Sequence, residues 1–288
     1  MSESAGVSAV PELPARVPDP AALAKMLTEI AQQAGEYLRN VFGVPVDVEA
    51  KDGRSDLVTA HDRIVEQDIR RRLEVVLPEV TVVGEEEGVS GGHGDLVCYV
   101  DPIDGTSNFA SGVPFYCVSL ALVCAGRIVA GVVHDPERAE TFTATDTGSW
   151  LNGRPITATE VERDEEALLV ASWPYERTVV DQAELTTHEA ALASYRTVRR
   201  LGSAALGLAY VAAGRADVTS ELIAKPWDVA AGFLLVTSAG GRVTRPPAAA
   251  GDPPWYAPRY IAHGPNFDVL GSAIRPILGH PVVSLSGG

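Results

Sequence analysis

The 288-residue sequence is short of cysteine, with three. Cys98, Cys117 and Cys124 are odd in number and form no C-x-x-C pair. That excludes a disulfide framework or a thiolate zinc site and leaves reduced cysteines in or near strands. Positive charge is scarce too: 23 Lys and Arg stand against 38 Asp and Glu, a formal net charge of −15. A nucleic-acid partner requires a dense basic footprint, so none is expected. No apolar run reaches about 18 residues, so no membrane span is expected. The N-terminus has neither the basic n-region nor the apolar h-region of a secretory signal, and a cytoplasmic protein is the simplest expectation. The absence of G-x-x-x-x-G-K-[S/T] speaks against a P-loop kinase or NTPase. His134 beside Asp135 reads as a strand-end turn, and a serine hydrolase with a nucleophile elbow is not expected.

What is present is apolar material for a core. Hydrophobic residues make up 46% and charged residues 21%, enough for one large domain or two closely packed halves. Residues 1–18, rich in Pro, Ala and Ser, read as a flexible arm. A single domain is expected over 19–282, with halves meeting near residue 160. The closing Ser-Leu-Ser-Gly-Gly is expected to fray.

Asp19 and Pro20 open a helix whose apolar stripe is Leu23, Met26, Leu27, Ile30, Ala34 and Leu38. A second runs from Thr59 to Leu77, with Ile64, Val65, Ile69, Leu73 and Val76 periodic and Pro78 stopping it. Strands are predicted at 80–83, 96–100, 118–124, 127–134, 140–145, 168–172, 216–221 and 260–262. Further helices are predicted at 181–194, 203–213 and 227–239. This mixture predicts a layered α/β or α+β fold.

The chemistry concentrates in Asp101-Pro102-Ile103-Asp104-Gly105-Thr106-Ser107, which follows a predicted strand. Pro102 cannot extend a ladder and Gly105 permits a tight turn, so the chain is expected to reverse here. Two carboxylates around such a turn converge on one point only if a cation relieves their repulsion. A hard ion such as Mg²⁺ suits the oxygen-rich surroundings, and the Ile103 carbonyl is a further donor. A helix after Gly105 would aim the Gly105 and Thr106 amides at a phosphate. A solvated Asp-Pro-Gly turn is the other reading.

Three further segments admit two readings each. Gly84-Glu85-Glu86-Glu87-Gly88 follows a short strand, where open α/β sheets collect ligands, or is a solvated acidic loop. Asp228 opens the helix at 227 as a cap or as a metal ligand. Asp62 belongs to a capping-box-like Thr59-Ala60-His61-Asp62, or to the site.

Together these segments resemble the inositol monophosphatase family of Mg²⁺-dependent, lithium-sensitive phosphatases. The markers are Asp56-Leu57-Val58-Thr59-Ala60-His61-Asp62, Gly84-Glu85-Glu86, Asp101 to Phe109, and Trp227-Asp228-Val229-Ala230-Ala231-Gly232, in the family's order. The resemblance implies an alternating α/β/α/β/α layered fold of the inositol monophosphatase and fructose-1,6-bisphosphatase type. It implies a first Mg²⁺ held by Glu85, Asp101 and the Ile103 carbonyl, and a second by Asp101, Asp104 and Asp228. Glu85 would also serve a weaker third. Thr106 with Asp62 would orient and help deprotonate the attacking water.

For the substrate, the resemblance implies Asp104, Gly105, Thr106, Ser203, Ala204, Glu221 and Asp228. Lys51 and Glu86 are further candidates near the site. His61 departs from the more usual Thr. A polyol phosphate, inositol 1-phosphate first, is the implied substrate. Histidinol phosphate, fructose 1,6-bisphosphate and adenosine 3′,5′-bisphosphate are cleaved by relatives sharing the metal motifs. A homodimer is also implied. A haloacid-dehalogenase reading is disfavoured, because its two aspartates stand two apart and Asp101 and Asp104 stand three apart. A metal-binding regulatory module is the non-enzymatic alternative.

Overall fold

The structure is a computed structural model describing residues 19–44, 48–50, 57–92, 94–173, 181–249, 251–279 and 281–287. The predicted arm at 1–18 and Lys51 lie outside the described residues.

In chain order, the first half comprises α1 (Pro20–Val41), β1 (Val48–Ala50), β2 (Leu57–Thr59), α2 (Ala60–Val76), β3 (Thr81–Gly84), β4 (Gly88–Gly91), β5 (Leu96–Asp104), α3 (Thr106–Ala110), β6 (Cys117–Cys124), β7 (Arg127–Asp135), β8 (Glu140–Thr145), β9 (Gly148–Leu151) and β10 (Arg154–Pro155). The second comprises β11 (Leu168–Ala171), α4 (Gln182–Ser194), β12 (Thr197–Arg199), α5 (Ala204–Ala212), β13 (Val218–Glu221), α6 (Pro226–Ser238), β14 (Arg242–Arg245), β15 (Tyr260–His263) and β16 (Val283–Ser286).

The strands form an eight-stranded sheet in the order β10-β9-β8-β7-β6-β5-β3-β4 and a six-stranded sheet in the order β12-β11-β13-β15-β14-β16. β1 and β2 pair separately. In the larger sheet only β3 and β5 run parallel; the rest is antiparallel. Helices α1 and α2 cover one face of it, α5 and α6 fill the space between the sheets, and α4 lies on the far side of the smaller sheet. The result is the five-layer α/β/α/β/α arrangement.

Local sequence accounts for these elements. The Asp19 side chain accepts from the Ala21 amide at 3.2 Å, and Leu23, Leu27, Ile30, Ala34 and Leu38 are buried against the sheet. In α2 the buried stripe is Val65, Ile69 and Leu73; Ile64 and Val76, expected on the same face, are exposed. Strand β6 is central and buried along its whole length, so it shows a continuous apolar run rather than alternation. Ala125 and Gly126 join β6 to β7 with φ of 48° and 73°, the double left-handed turn that fits the strand twist.

The C-terminal segment differs from expectation. Residues 283–286 form β16, paired along β14, and Leu285 packs against the central core. Backbone pairing at the sheet edge holds a segment whose composition reads as loose.

Among the described residues, no helix is long and apolar enough to cross a membrane.

Candidate active site

The decisive local feature is a bulge in β5. The chain does not reverse after Asp101: the strand runs on to Asp104, and Gly105 makes the turn at φ 97°. Asp101 pairs with Ser119 and Asp104 with Cys117, a step of three residues on one strand against a step of two on the other. The extra residue absorbs Pro102, which has no amide for the ladder. It also corrects the pleat. Residues three apart in a regular strand face opposite ways, whereas Ser119 and Cys117 are two apart and share a face. Asp101 and Asp104 are therefore turned to the same side. A side chain at Gly105 would meet the Phe115 and Gly202 carbonyls at 3.0 and 3.2 Å, so the turn admits no other residue without movement.

Glu85 reaches the same place along the neighbouring strand. Gly84 pairs in parallel with Val100, and the Glu85 amide donates to the Val100 carbonyl at 3.2 Å. Glu85 thus follows the carboxyl end of β3, beside the stretch of the parallel strand β5 that carries Asp101.

Two helix starts supply two further acids. Asp62 and Asp228 occupy the third position of α2 and α6, and each spends one oxygen on its cap. Asp62 Oδ2 accepts from the Thr59 amide and hydroxyl at 2.8 and 2.6 Å; Asp228 Oδ2 accepts from the Lys225 amide at 2.8 Å. The helix N-termini favour these negative charges. Asp62 Oδ1 lies 3.1 Å from the Thr106 hydroxyl, which is also 2.9 Å from the Ile103 carbonyl.

A cavity of about 720 Å³ is lined by Glu85, Asp101, Ile103, Asp104, Gly105, Thr106, Ala204, Glu221 and Asp228, with Arg200 and Lys225 as its cations. Its volume suits a small ligand. Among the described residues, five carboxylates against two cations make it repel a phosphate unless further positive charge is brought in.

Burial and mutual repulsion show in the acids themselves. Asp101 is 2% exposed. Desolvation, then the Glu85, Asp104, Asp228 and Asp62 charges, push its carboxyl well above the usual range. Asp228 is raised by burial and then by Glu85 and Asp104. Burial raises Asp104 as well, but donors hold it back: Ser203 Oγ at 2.5 Å, the Ala205 and Ala204 amides at 2.7 and 3.3 Å, and the Cys117 thiol at 3.7 Å.

This set of oxygen donors fits a hard divalent cation in chemistry and charge. Among the described residues, however, no three acidic, histidine or cysteine side chains are already drawn into a metal cage.

Not every predicted residue faces the cavity. Ser203 stands behind Asp104, its hydroxyl donating there and accepting from the Leu206 amide as the cap of α5; from this segment the cavity wall takes Ala204. Asp62 stands behind Thr106. The Glu86 amide is bonded to Glu66 at 2.8 Å, and Glu86 is not part of the wall. Glu221, at the end of β13, is buried and accepts from the Leu222 amide at 2.7 Å.

Two contributors escaped sequence reasoning. The Asn108 amide donates to the Phe115 and Leu201 carbonyls, both at 2.7 Å, and so ties two walls together. Buried Glu66 binds the turn after Glu85. Its only signal was i, i+4 spacing from Asp62 on a helix with many charges.

Gly88-Val89-Ser90-Gly91-Gly92 does spell G-x-S-x-G. Ser90, though, lies in exposed β4, antiparallel to β3, not at a strand-to-helix elbow.

The profile of the inositol monophosphatase family matches residues 19–272. The chain belongs to the inositol monophosphatase family. It is 40% identical over 221 residues to a protein of Xylella fastidiosa named Nus factor SuhB, covering 76% of this chain and 80% of that one. It is 39% identical over 226 residues to inositol monophosphatase 3 of Solanum lycopersicum, covering 76% and 84%. An IMPase structure from Thermotoga maritima superposes with a TM-score of 0.75 at 33% identity, covering 85% of this chain and 93% of that one. The layered fold is that of this inositol monophosphatase structure.

Proposed function

We propose that the chain is a Mg²⁺-dependent phosphatase that hydrolyses a small polyol phosphate, with inositol 1-phosphate the best substrate. The observation that carries this reading is Asp101, buried among four other carboxylates beside a cavity whose described residues include more acids than cations. A buried charge cluster of one sign is costly unless counter-charge completes it.

Glu85, Asp101, Asp104, Asp228 and the Ile103 carbonyl are the proposed ligands of two or three Mg²⁺. When bound, Mg²⁺ supplies positive charge against the phosphoryl oxygens and acidifies water. The chain's own groups do the rest. Thr106, donating to Asp62, keeps its lone pairs toward the cavity, where they orient water and receive its proton, with Asp62 as the final acceptor. The Gly105 and Thr106 amides hold the phosphate. Glu221 and the Ala204 segment face the polyol hydroxyls.

Lithium inhibition, a homodimer and a cytoplasmic setting belong to the same reading. The relatives named Nus factor bear a name that is not an enzyme's, which supplies the second reading, a non-catalytic role. The net charge of −15 weighs against direct nucleic-acid contact.

Phosphate release decides between them. Inositol 1-phosphate, histidinol phosphate, fructose 1,6-bisphosphate and adenosine 3′,5′-bisphosphate are supplied separately, with Mg²⁺ and with EDTA. The expected result is Mg²⁺-dependent release, with the highest kcat/KM for inositol 1-phosphate. No release from any of them in Mg²⁺ would overturn the phosphatase reading.

A further inference from the structure

Three charged residues recur at four-residue intervals along α2: Asp62, Glu66 and Arg70. This spacing places them on one stripe of the helix. Asp62 serves Thr106. Glu66, one turn on, is fully buried although it is an acid beside three more, Glu85 to Glu87.

Its partners show what it does. Glu66 Oε2 accepts from the Glu86 amide at 2.8 Å and Oε1 from the Glu87 amide at 3.0 Å. Arg70 answers the charge, donating to Oε1 through Nε at 2.9 Å and a terminal nitrogen at 2.8 Å. The same guanidinium donates to the Gly88 carbonyl at 2.6 Å and to the Ser90 hydroxyl. Gly84 completes the fit, since a β-carbon there would collide with the Glu66 carboxylate.

Glu85 is therefore gripped from both sides. Its own amide is tied to Val100, and the next two amides are tied to Glu66. A run of three glutamates left to itself would splay by repulsion; here the backbone is fixed and only the first of the three lines the cavity.

We propose that Glu66, held by Arg70, is a positioning residue that fixes the Glu85 turn and thereby sets the site's affinity for its divalent cation. This rests on the proposed function above. Glu66 touches no substrate and acts only through the turn. Partners one shell out from a metal ligand typically change affinity on the order of 10- to 100-fold when removed, and the low end is expected for a residue acting through backbone amides.

The test is calorimetric titration of the full chain with Mg²⁺ in the absence of substrate. Glu66→Gln keeps the size of the side chain but loses one acceptor and the charge facing Arg70. It is expected to weaken Mg²⁺ binding about tenfold, and the Mg²⁺ concentration giving half-maximal turnover should move in step. The substrate KM at saturating Mg²⁺ should stay close to the parent's. A purely structural role would lower the melting temperature and leave Mg²⁺ affinity alone; that result, in a cooperatively melting variant, overturns the proposal. Should Glu66→Gln not fold, Arg70→Lys keeps the charge and loses the fork to Gly88 and Ser90. It is expected to weaken Mg²⁺ binding less but in the same direction, and unchanged affinity there also overturns the proposal. A parent that neither binds nor requires Mg²⁺ removes the functional reading itself. A parent and a Glu66→Gln variant that bind Mg²⁺ equally remove this proposal alone.

Discussion

The Thr106 hydroxyl lies 3.1 Å from one oxygen of Asp62, whose other oxygen caps α2 through Thr59. In the proposed mechanism Asp62 thus joins the proton path to the start of a helix, whereas Thr106 has no share in the cap. Thr106→Ala is expected to cut kcat roughly 10²- to 10⁴-fold, the usual value of a placed proton acceptor, and to change stability by no more than about 1 kcal/mol. Asp62→Asn should cut kcat comparably and cost about 1–2 kcal/mol more, because the cap weakens. Phosphate release and urea melts on the two variants check this; equal stabilities would show that the cap does not depend on the carboxylate.

Asp101 and Asp104 part company in stability. Asp104→Asn removes charge from the proposed metal ligands. In the structure Asp104 receives Ser203, Ala204 and Ala205, so the substitution should also cost about 1–3 kcal/mol by leaving buried donors poorly matched. Asp101 is the opposite case. Its oxygen accepts from the Ile103 amide at 3.0 Å, which Asn can still satisfy, and its charge is opposed by four neighbours. A carboxyl raised in the folded state opposes folding above its unfolded pKa, so Asp101→Asn should stabilise the metal-free protein at pH 7.5. Both variants should lose at least about 100-fold in turnover. Melts in EDTA decide; a destabilised Asp101→Asn contradicts the account.

Acid sensitivity should come from two buried histidines. Desolvation lowers His134 and His263 from 6.5 to about 4, with the Arg39 charge adding to it at His134 and Arg242 at His263. The unfolded chain binds protons first, so their contribution is complete above about pH 6.5 and is lost as pH falls toward 4, on the order of 1–3 kcal/mol each. The raised carboxyls of Asp101 and Asp228 act in the opposite sense, so the comparison must be between variants. His134→Gln can keep the bond to Thr141, and its stability should fall less between pH 7.5 and 5 than the parent's. Parallel losses in urea melts would contradict this.

The order of the main elements was legible because each is amphipathic or bounded by Pro and Gly; the α1 stripe and the β6–β7 hairpin are examples. The short strands β4, β9, β10, β12, β14 and β16, at or next to the sheet edges, were not, since short pairings depend on neighbours distant in sequence. The acids lining the cavity were named from their motifs, but the bulge that turns Asp101 and Asp104 to one side was not foreseen. Pro102 read as a stop, and only pairing with β6 shows that the strand absorbs it. The hydrogen bonds of Ser203 to Asp104 and of Glu66 to the Glu85 turn were not legible for one reason: a helix cap and a charged helical residue look alike in sequence whether they face water or support a neighbouring segment.

The most direct test is crystallographic. Crystals of the protein soaked in Mn²⁺, which shares the oxygen preference of Mg²⁺, are measured for anomalous scattering. The account predicts peaks enclosed by Glu85, Asp101, Asp104, Asp228 and the Ile103 carbonyl, lost or weakened in Asp101→Asn. Peaks only elsewhere on this acidic surface, together with phosphate release unaffected by EDTA, would contradict it.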